Sequence, residues 1–297
     1  MAKGVASSLA ASCMFGLMYY YATVLQPLTG IEIFGWRMLF TFPFLTLFMH
    51  ILGYLHLVGE IFIRLRARCV LLLPLACSAF LLGLQLWLFM WAANNGKALE
   101  VSLGYLLMPL SMVICGRFVY KERLRSFQKA AVAFAAIGVA NQVYHLGGLS
   151  WPTLVVAVGF PIYFMLRRAL GTDHLGGLWF DMALMIPVAV MVLFQSQFSV
   201  IQLFEEHPRY FVQLPLLGII SACSIALFII AGRLLPFSLF GLLSYVEPVL
   251  LVFVSLMLGE HIRPNDTITY ACVASAIGIL VMGGLRNLGI SRTGRLL

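Results

Sequence analysis

The chain has 297 residues, 62% hydrophobic and only 10% charged, with mean hydropathy +1.00 and formal net charge +8. A soluble domain is roughly 45–50% apolar and about 25% charged, and its core could not hide the excess from water, so a soluble globular fold is excluded. The basic balance does not signal nucleic acid, because the Lys and Arg are scattered over hydropathy breaks and form no stripe interleaved with aromatics.

Lipid is therefore the expected solvent, and a crossing helix needs roughly 20 apolar residues. Breaks marked by charge, Pro and Gly predict ten membrane helices, over 4–25, 33–57, 69–93, 98–120, 126–144, 150–170, 176–196, 211–232, 236–258 and 265–285. The first follows Lys3 and resembles a signal peptide, but no small-x-small cleavage site follows its run to Leu25, so it is expected to stay as a helix. Joints as short as Asn94 to Lys97 make the flanking helices antiparallel neighbours.

Orientation follows from the bases. Of the 19 Lys and Arg, Arg37 falls inside a helix and only Lys97, Arg209 and Arg263 lie on the side opposite the rest. Basic loops stay in the cytoplasm, so both termini are expected there, in a multi-pass protein of the bacterial inner membrane.

Two stretches resemble each other: Ser102 to Leu124 and Phe240 to Ile262 each carry Gly, Tyr, a Pro within the apolar helix, and a Glu near its end. Residues 1–147 and 148–297 then read as two five-helix repeats, and the odd number makes the second copy inverted. The expected fold is all-α, an integral membrane bundle of about ten helices in two inverted repeats. Helix breaks are expected at Gly16, Pro109, Pro161 and Pro248; matched interruptions in inverted halves point to a transporter with its site at their interface.

Charges inside hydrocarbon are functional candidates by default. Arg37 either snorkels to the interface or faces a cavity, where it attracts an anionic group or pairs with Glu100. Glu100 opens the fourth helix, where capping alone also accounts for a carboxylate. Asp181 follows Trp179-Phe180 in the seventh. Glu247, between Tyr245 and Pro248 in the ninth, has two readings: a proton-coupling group or a paired structural one. Gln85, Trp87, Trp91 and Asn94 from the third helix, Ser102 and Tyr105 from the fourth, Tyr163 and Tyr245 complete the candidate cavity, although aromatic and polar residues in such bundles are often packing anchors. Glu122 and Glu260, at helix ends, read as solvated charges.

No metal or cofactor is expected. The six cysteines show no C-x-x-C spacing and read as small apolar residues with free thiols, and the adjacent Glu205, Glu206 and His207 cannot converge on one ion. The phosphate-cradling G-x-x-x-x-G-K-[ST] and the hydrolytic H-E-x-x-H and G-x-S-x-G are absent, which argues against ATP-driven transport and against an intramembrane enzyme. A small-molecule substrate and membrane lipid are the expected partners. A homodimer is left open, as is a non-transporting scaffold or sensory subunit.

The stretch NNGKALEVSLGYLLMPL (Asn94 to Leu110) resembles the junction of the third and fourth helices in RarD-type permeases, of the EamA group in the drug/metabolite transporter superfamily. WRMLF at Trp36 and the YVEPVLLVFVSLMLGE segment are similar to the second and ninth helices of that group, and the likeness runs over the whole chain. Trp36, Met108 and Gln85 depart from the His, Asn and Asn usual at those places. The resemblance implies ten helices in inverted repeats around a central cavity, alternating access, and export of metabolites or drugs without ATP.

Overall fold

Backbone groups in hydrocarbon have no water to bond, so a chain this apolar must satisfy them within helices. The computed structural model describes residues 1–94, 97–195, 200–257 and 267–293, which are helical with no strand among them. The helices are α1 Ala2–Val24, α2 Gly30–Ile51, α3 His56–Ala67, α4 Leu72–Asn94, α5 Ala98–Phe118, α6 Ser126–Leu146 and α7 Trp151–Ala169, then α8 Leu175–Phe194, α9 Val200–Glu206, α10 Tyr210–Leu234, α11 Phe237–Leu243, α12 Val246–Met257 and α13 Thr267–Thr293. Five stretches, Gly30–Ile51, Cys69–Leu88, Glu100–Phe118, Leu175–Phe194 and Tyr210–Leu234, are long and apolar enough to cross a membrane by length and composition. Side chains such as Phe118, Val70 and Phe194, exposed at 77%, 82% and 86%, form an outer surface suited to lipid and not to water.

Local chemistry sets several ends. A capping box starts α2: the Glu32 carboxylate accepts from the Thr29 N–H at 2.7 Å while Thr29 Oγ1 accepts from the Glu32 N–H at 3.4 Å. The second helix was expected to reach residue 57 but stops at Ile51, because Gly53 takes a left-handed φ of 72° that turns the chain. The polypeptide continues as α3, which buries Val58 and Ile61 against α8 and leaves Arg64 and Arg66 exposed. Arg64 Nη2 donates to the Leu170 carbonyl at 2.7 Å, fastening α3 to the α7–α8 turn.

Three expected breaks are corrected. α1 runs unbroken through Gly16, α5 through Pro109 and α7 through Pro161. A glycine keeps its amide bond, and a proline removes one hydrogen bond that its surroundings can make good. The ninth segment does divide, but at Ser244–Tyr245 rather than at Pro248. There the Tyr245 and Glu247 N–H groups donate three residues back, to the carbonyls of Leu242 and Ser244, and α12 restarts with Glu247 in its first turn. Pro248, in that same first turn, loses an amide that would have been unpaired anyway.

Helix contacts follow a two-fold scheme. α1 packs on α10 as α7 packs on α4, α2 on α10 as α8 on α4, and α5 on α7 as α12 on α1; α2 with α8, α5 with α11, and α6 with α13 pair across the axis. Exchanging α1, α2, α4, α5 and α6 for α7, α8, α10, α11–α12 and α13 preserves these pairings. The exchange reverses direction: Gly35 meets Leu193 while Thr46 bonds Trp179, so α2 and α8 are antiparallel. In the α6–α13 pair, Gly138 lets the backbones approach, and Thr269 Oγ1 donates to the Gly138 carbonyl at 3.0 Å.

Candidate functional site

Arg37, about two turns into α2, is 6% exposed, and its Nε donates to Ser221 Oγ of α10 at 2.8 Å. It also lies close enough to Tyr105 of α5 and Glu247 of α12 for the three groups to interact electrostatically. The expected partner Glu100 is not there. It forms an ion pair with Lys97 at 2.6 Å, because one helical turn at the start of α5 brings the two together more readily than the bundle interior could. Arg37 and Glu247 thus carry opposite charges within electrostatic range of each other, and Tyr105 lies against Phe160 of α7 with ring centroids 6.0 Å apart.

A second polar cluster lies where α4, α7 and α8 meet. Asp181 is fully buried, and its carboxylate accepts from Ser78 Oγ of α4 at 2.9 Å and from the Tyr163 hydroxyl of α7 at 2.8 Å. Arg167, in the last turn of α7, stands 3.7 Å from the same carboxylate. The sequence reading counted Arg167 among loop charges, yet it is 1% exposed. Next to it, burial and the charges of Arg233 and Arg167 hold His174 below its ordinary value.

At the same end of the bundle, the end of α5 is tied to the start of α11. Glu122, read from sequence as solvated, accepts the Phe237 and Ser238 N–H groups at 2.6 and 2.8 Å and so caps α11. Lys121 adopts a positive φ of 54° in the turn that carries it there. Gly116 lies directly against Ser238 and leaves no room for a side chain. Arg168 donates to the Gly232 and Leu235 carbonyls at the end of α10 and lies over the rings of Tyr120 and Phe237.

The remaining candidates divide. Gln85 is fully buried and donates from Nε2 to the Val155 carbonyl at 2.8 Å against Gly159. Tyr245 is buried, its hydroxyl donating to the Leu106 carbonyl at 2.9 Å. Trp87 is 38% exposed, and Ser102 is exposed as well. The side chains of Trp91 and Asn94, and all of Glu260, lie outside the described residues. Sequence reasoning missed Ser78, Ser221, Arg167 and Glu122 as members of these clusters. Only Glu122 gave a signal, as half of the repeated Pro-to-Glu element.

Opposite charges held inside an inverted-repeat helical bundle fit a membrane transporter. The comparisons agree: the EamA-like transporter family matches residues 2–141. An uncharacterized transporter of Pasteurella multocida is 38% identical over 97% of this chain and 98% of its own length. The chloramphenicol-sensitive protein RarD of Pseudomonas aeruginosa is 41% identical over 93% and 92%. A solved crystal structure with 16% identity superposes at a TM-score of 0.67 over 93% of this chain and 96% of that one, a likeness of fold alone. The chain belongs to the EamA-like transporter family, on its RarD-type branch.

Proposed function

We propose that the protein is a secondary transporter of the bacterial inner membrane that exports a small metabolite or drug-like solute by alternating access. The observation that carries this reading is the electrostatic coupling of Arg37 and Tyr105 to Glu247, which stands in the first turn after the division of the ninth segment. Broken helices and intramembrane charges at a repeat interface are the usual makings of a solute site.

The reading takes ten crossings, α1, α2, α4, α5, α6, α7, α8, α10, α11–α12 and α13, divided at 147/148, with both termini cytoplasmic and the Glu122–α11 seal at the inner mouth. The charge bias supports this direction. Opening the inner mouth exposes the central charges to the cytoplasm; closing it again exposes them outward. Glu247 is the coupling group, exchanging a proton between the two states, and Arg37 is its counter-charge. Substrate binding with no ATP site leaves the solute gradient or the proton gradient as the source of energy.

The test compares metabolites excreted by cells lacking and overproducing the protein, followed by flux of the responding solutes in proteoliposomes with and without a pH gradient. Solutes that accumulate outside only with the protein, and flux that follows the gradient, support the reading. Identical excretion in both strains contradicts it.

A further inference from the structure

The connection between α2 and α4 is itself a helix. α3 has 12 residues, about 18 Å of helix, too short for roughly 30 Å of hydrocarbon. With α2 and α4 both crossing, α3 lies at one face of the membrane, the face that the charge bias assigns to the cytoplasm. One side of it is docked: Leu57 meets Gly176, and Phe62 lies against Trp179 and Phe180, near the start of α8. Away from that contact Ile63, Arg66 and, at the helix end, Arg68 are exposed.

Charge and apolar surface follow one another here in the order that a bilayer boundary requires. Arg66 and Arg68 enter no ion pair among the described residues. Glu60, the single acid of α3, lies close enough to His174 to interact with it, and so toward the start of α8. Just past the arginines Val70 is exposed. Leu73, Phe80 and Trp87 then follow at seven-residue intervals, on one face of α4, exposed at 76%, 66% and 38%. Tyr54, exposed at the α2–α3 turn, stands where amphipathic rings meet the headgroup level.

We propose that the corner between α3 and α4 is a docking surface for an anionic phospholipid of the inner leaflet. Charge complementarity selects this occupant. The guanidinium forks of Arg66 and Arg68 match a phosphodiester, and the cytoplasmic leaflet carries the anionic headgroups that basic segments beside a crossing helix attract. The ridge of Leu73 and Phe80 leads from these charges into the hydrocarbon, along the path of an acyl chain. A zwitterionic lipid brings no net charge to the two arginines and is the weaker occupant. Arg64 carries the effect inward, because it donates to the Leu170 carbonyl: a lipid that holds α3 also holds the α7–α8 turn. This surface goes beyond the transport reading and serves whatever solute is carried.

The test uses the purified full chain in nanodiscs at constant ionic strength. For each variant it reads the difference between the thermal midpoint in phosphatidylcholine and that in mixtures with phosphatidylglycerol, so a change in basal stability does not enter. The unaltered protein is expected to gain a midpoint rise that saturates with phosphatidylglycerol. Arg66→Gln/Arg68→Gln removes most of that rise, while Arg123→Gln/Lys129→Gln, which takes two other exposed charges from the same face, keeps it. Native mass spectrometry is expected to find phosphatidylglycerol retained several-fold less by the Arg66/Arg68 variant than by the unaltered protein. No rise, or equal retention in the two proteins, overturns the proposal. Equal loss of the rise in both double variants assigns the effect to the overall charge of the face and overturns it as well. So does a rise produced in pure phosphatidylcholine by soluble glycerol phosphate, which would make the arginines a site for free phosphate.

Discussion

Arg37 and Asp181 occupy corresponding places in the two halves: each lies about two turns into its helix and bonds a serine of the same partner position, Ser221 on α10 and Ser78 on α4. The exchange that relates α2 to α8 also relates α10 to α4. Because that exchange inverts the chain direction, the two charges fall toward opposite ends of the antiparallel α2–α8 pair. The paired helices thus carry a cation toward one end and an anion toward the other, each bonded to a serine of a third helix.

Removing one partner of the buried pair exposes what it balances. Asp181→Ala leaves the Arg167 guanidinium uncompensated in the interior, a change that typically costs about 3–5 kcal/mol. The Arg167→Gln/Asp181→Asn protein is expected to be the more stable of the two. Thermal unfolding in detergent or nanodiscs gives the order, and equal midpoints would show that the pair carries no net interaction.

The Glu122 cap is worth testing by its neighbour Cys115. Glu122→Gln weakens two charge-assisted bonds to the start of α11, a loss of about 1–3 kcal/mol. In a variant whose sole cysteine is Cys115, a water-borne maleimide is expected to label faster after the substitution. An unchanged labelling rate would mean that the cap does not hold this mouth.

Close packing of α5 on α7 rests on Gly104, where an added Cβ would meet Val156 Cβ at 2.6 Å and the Thr153 carbonyl at 2.9 Å. Neither neighbour is a flexible side-chain tip. Gly104→Ala is therefore expected to destabilise the protein by about 1–3 kcal/mol, read as a lower midpoint. Gly278→Ala, with nothing within 4 Å of the new carbon, is the control expected to show no such loss.

Glu247 gives the pH prediction. Glu247→Gln removes the titrating group while keeping size and polarity, so flux in proteoliposomes is expected to become independent of the imposed pH gradient. Normal flux with an unchanged pH profile would remove Glu247 from the coupling step.

The membrane class and the place of most helices were legible because hydropathy is a local, additive property of about twenty consecutive residues. The buried Arg167 was not legible: two adjacent arginines at a helix end look the same in sequence whether α8 and α10 cover them or water does. Glu122 escaped for the same reason, since its partners Phe237 and Ser238 are distant in the chain. The ninth segment was expected to yield at Pro248, but it yields at Ser244–Tyr245, where the turn can restart the helix with the proline already in its first turn. Which face of α4 meets lipid was not legible either, since a uniformly apolar helix carries too little periodicity to say.

The central claim, that the mouth closed by α5 and α11 must open for each transport cycle, is tested most directly by locking it. Tyr120 and Phe237 face each other there with ring centroids 5.3 Å apart. A Tyr120→Cys/Phe237→Cys protein without other cysteines, bridged by a short reducible bis-thiosulfonate, is expected to lose solute flux in proteoliposomes and to regain it on reduction. Full flux through the bridged protein would contradict alternating access at this mouth.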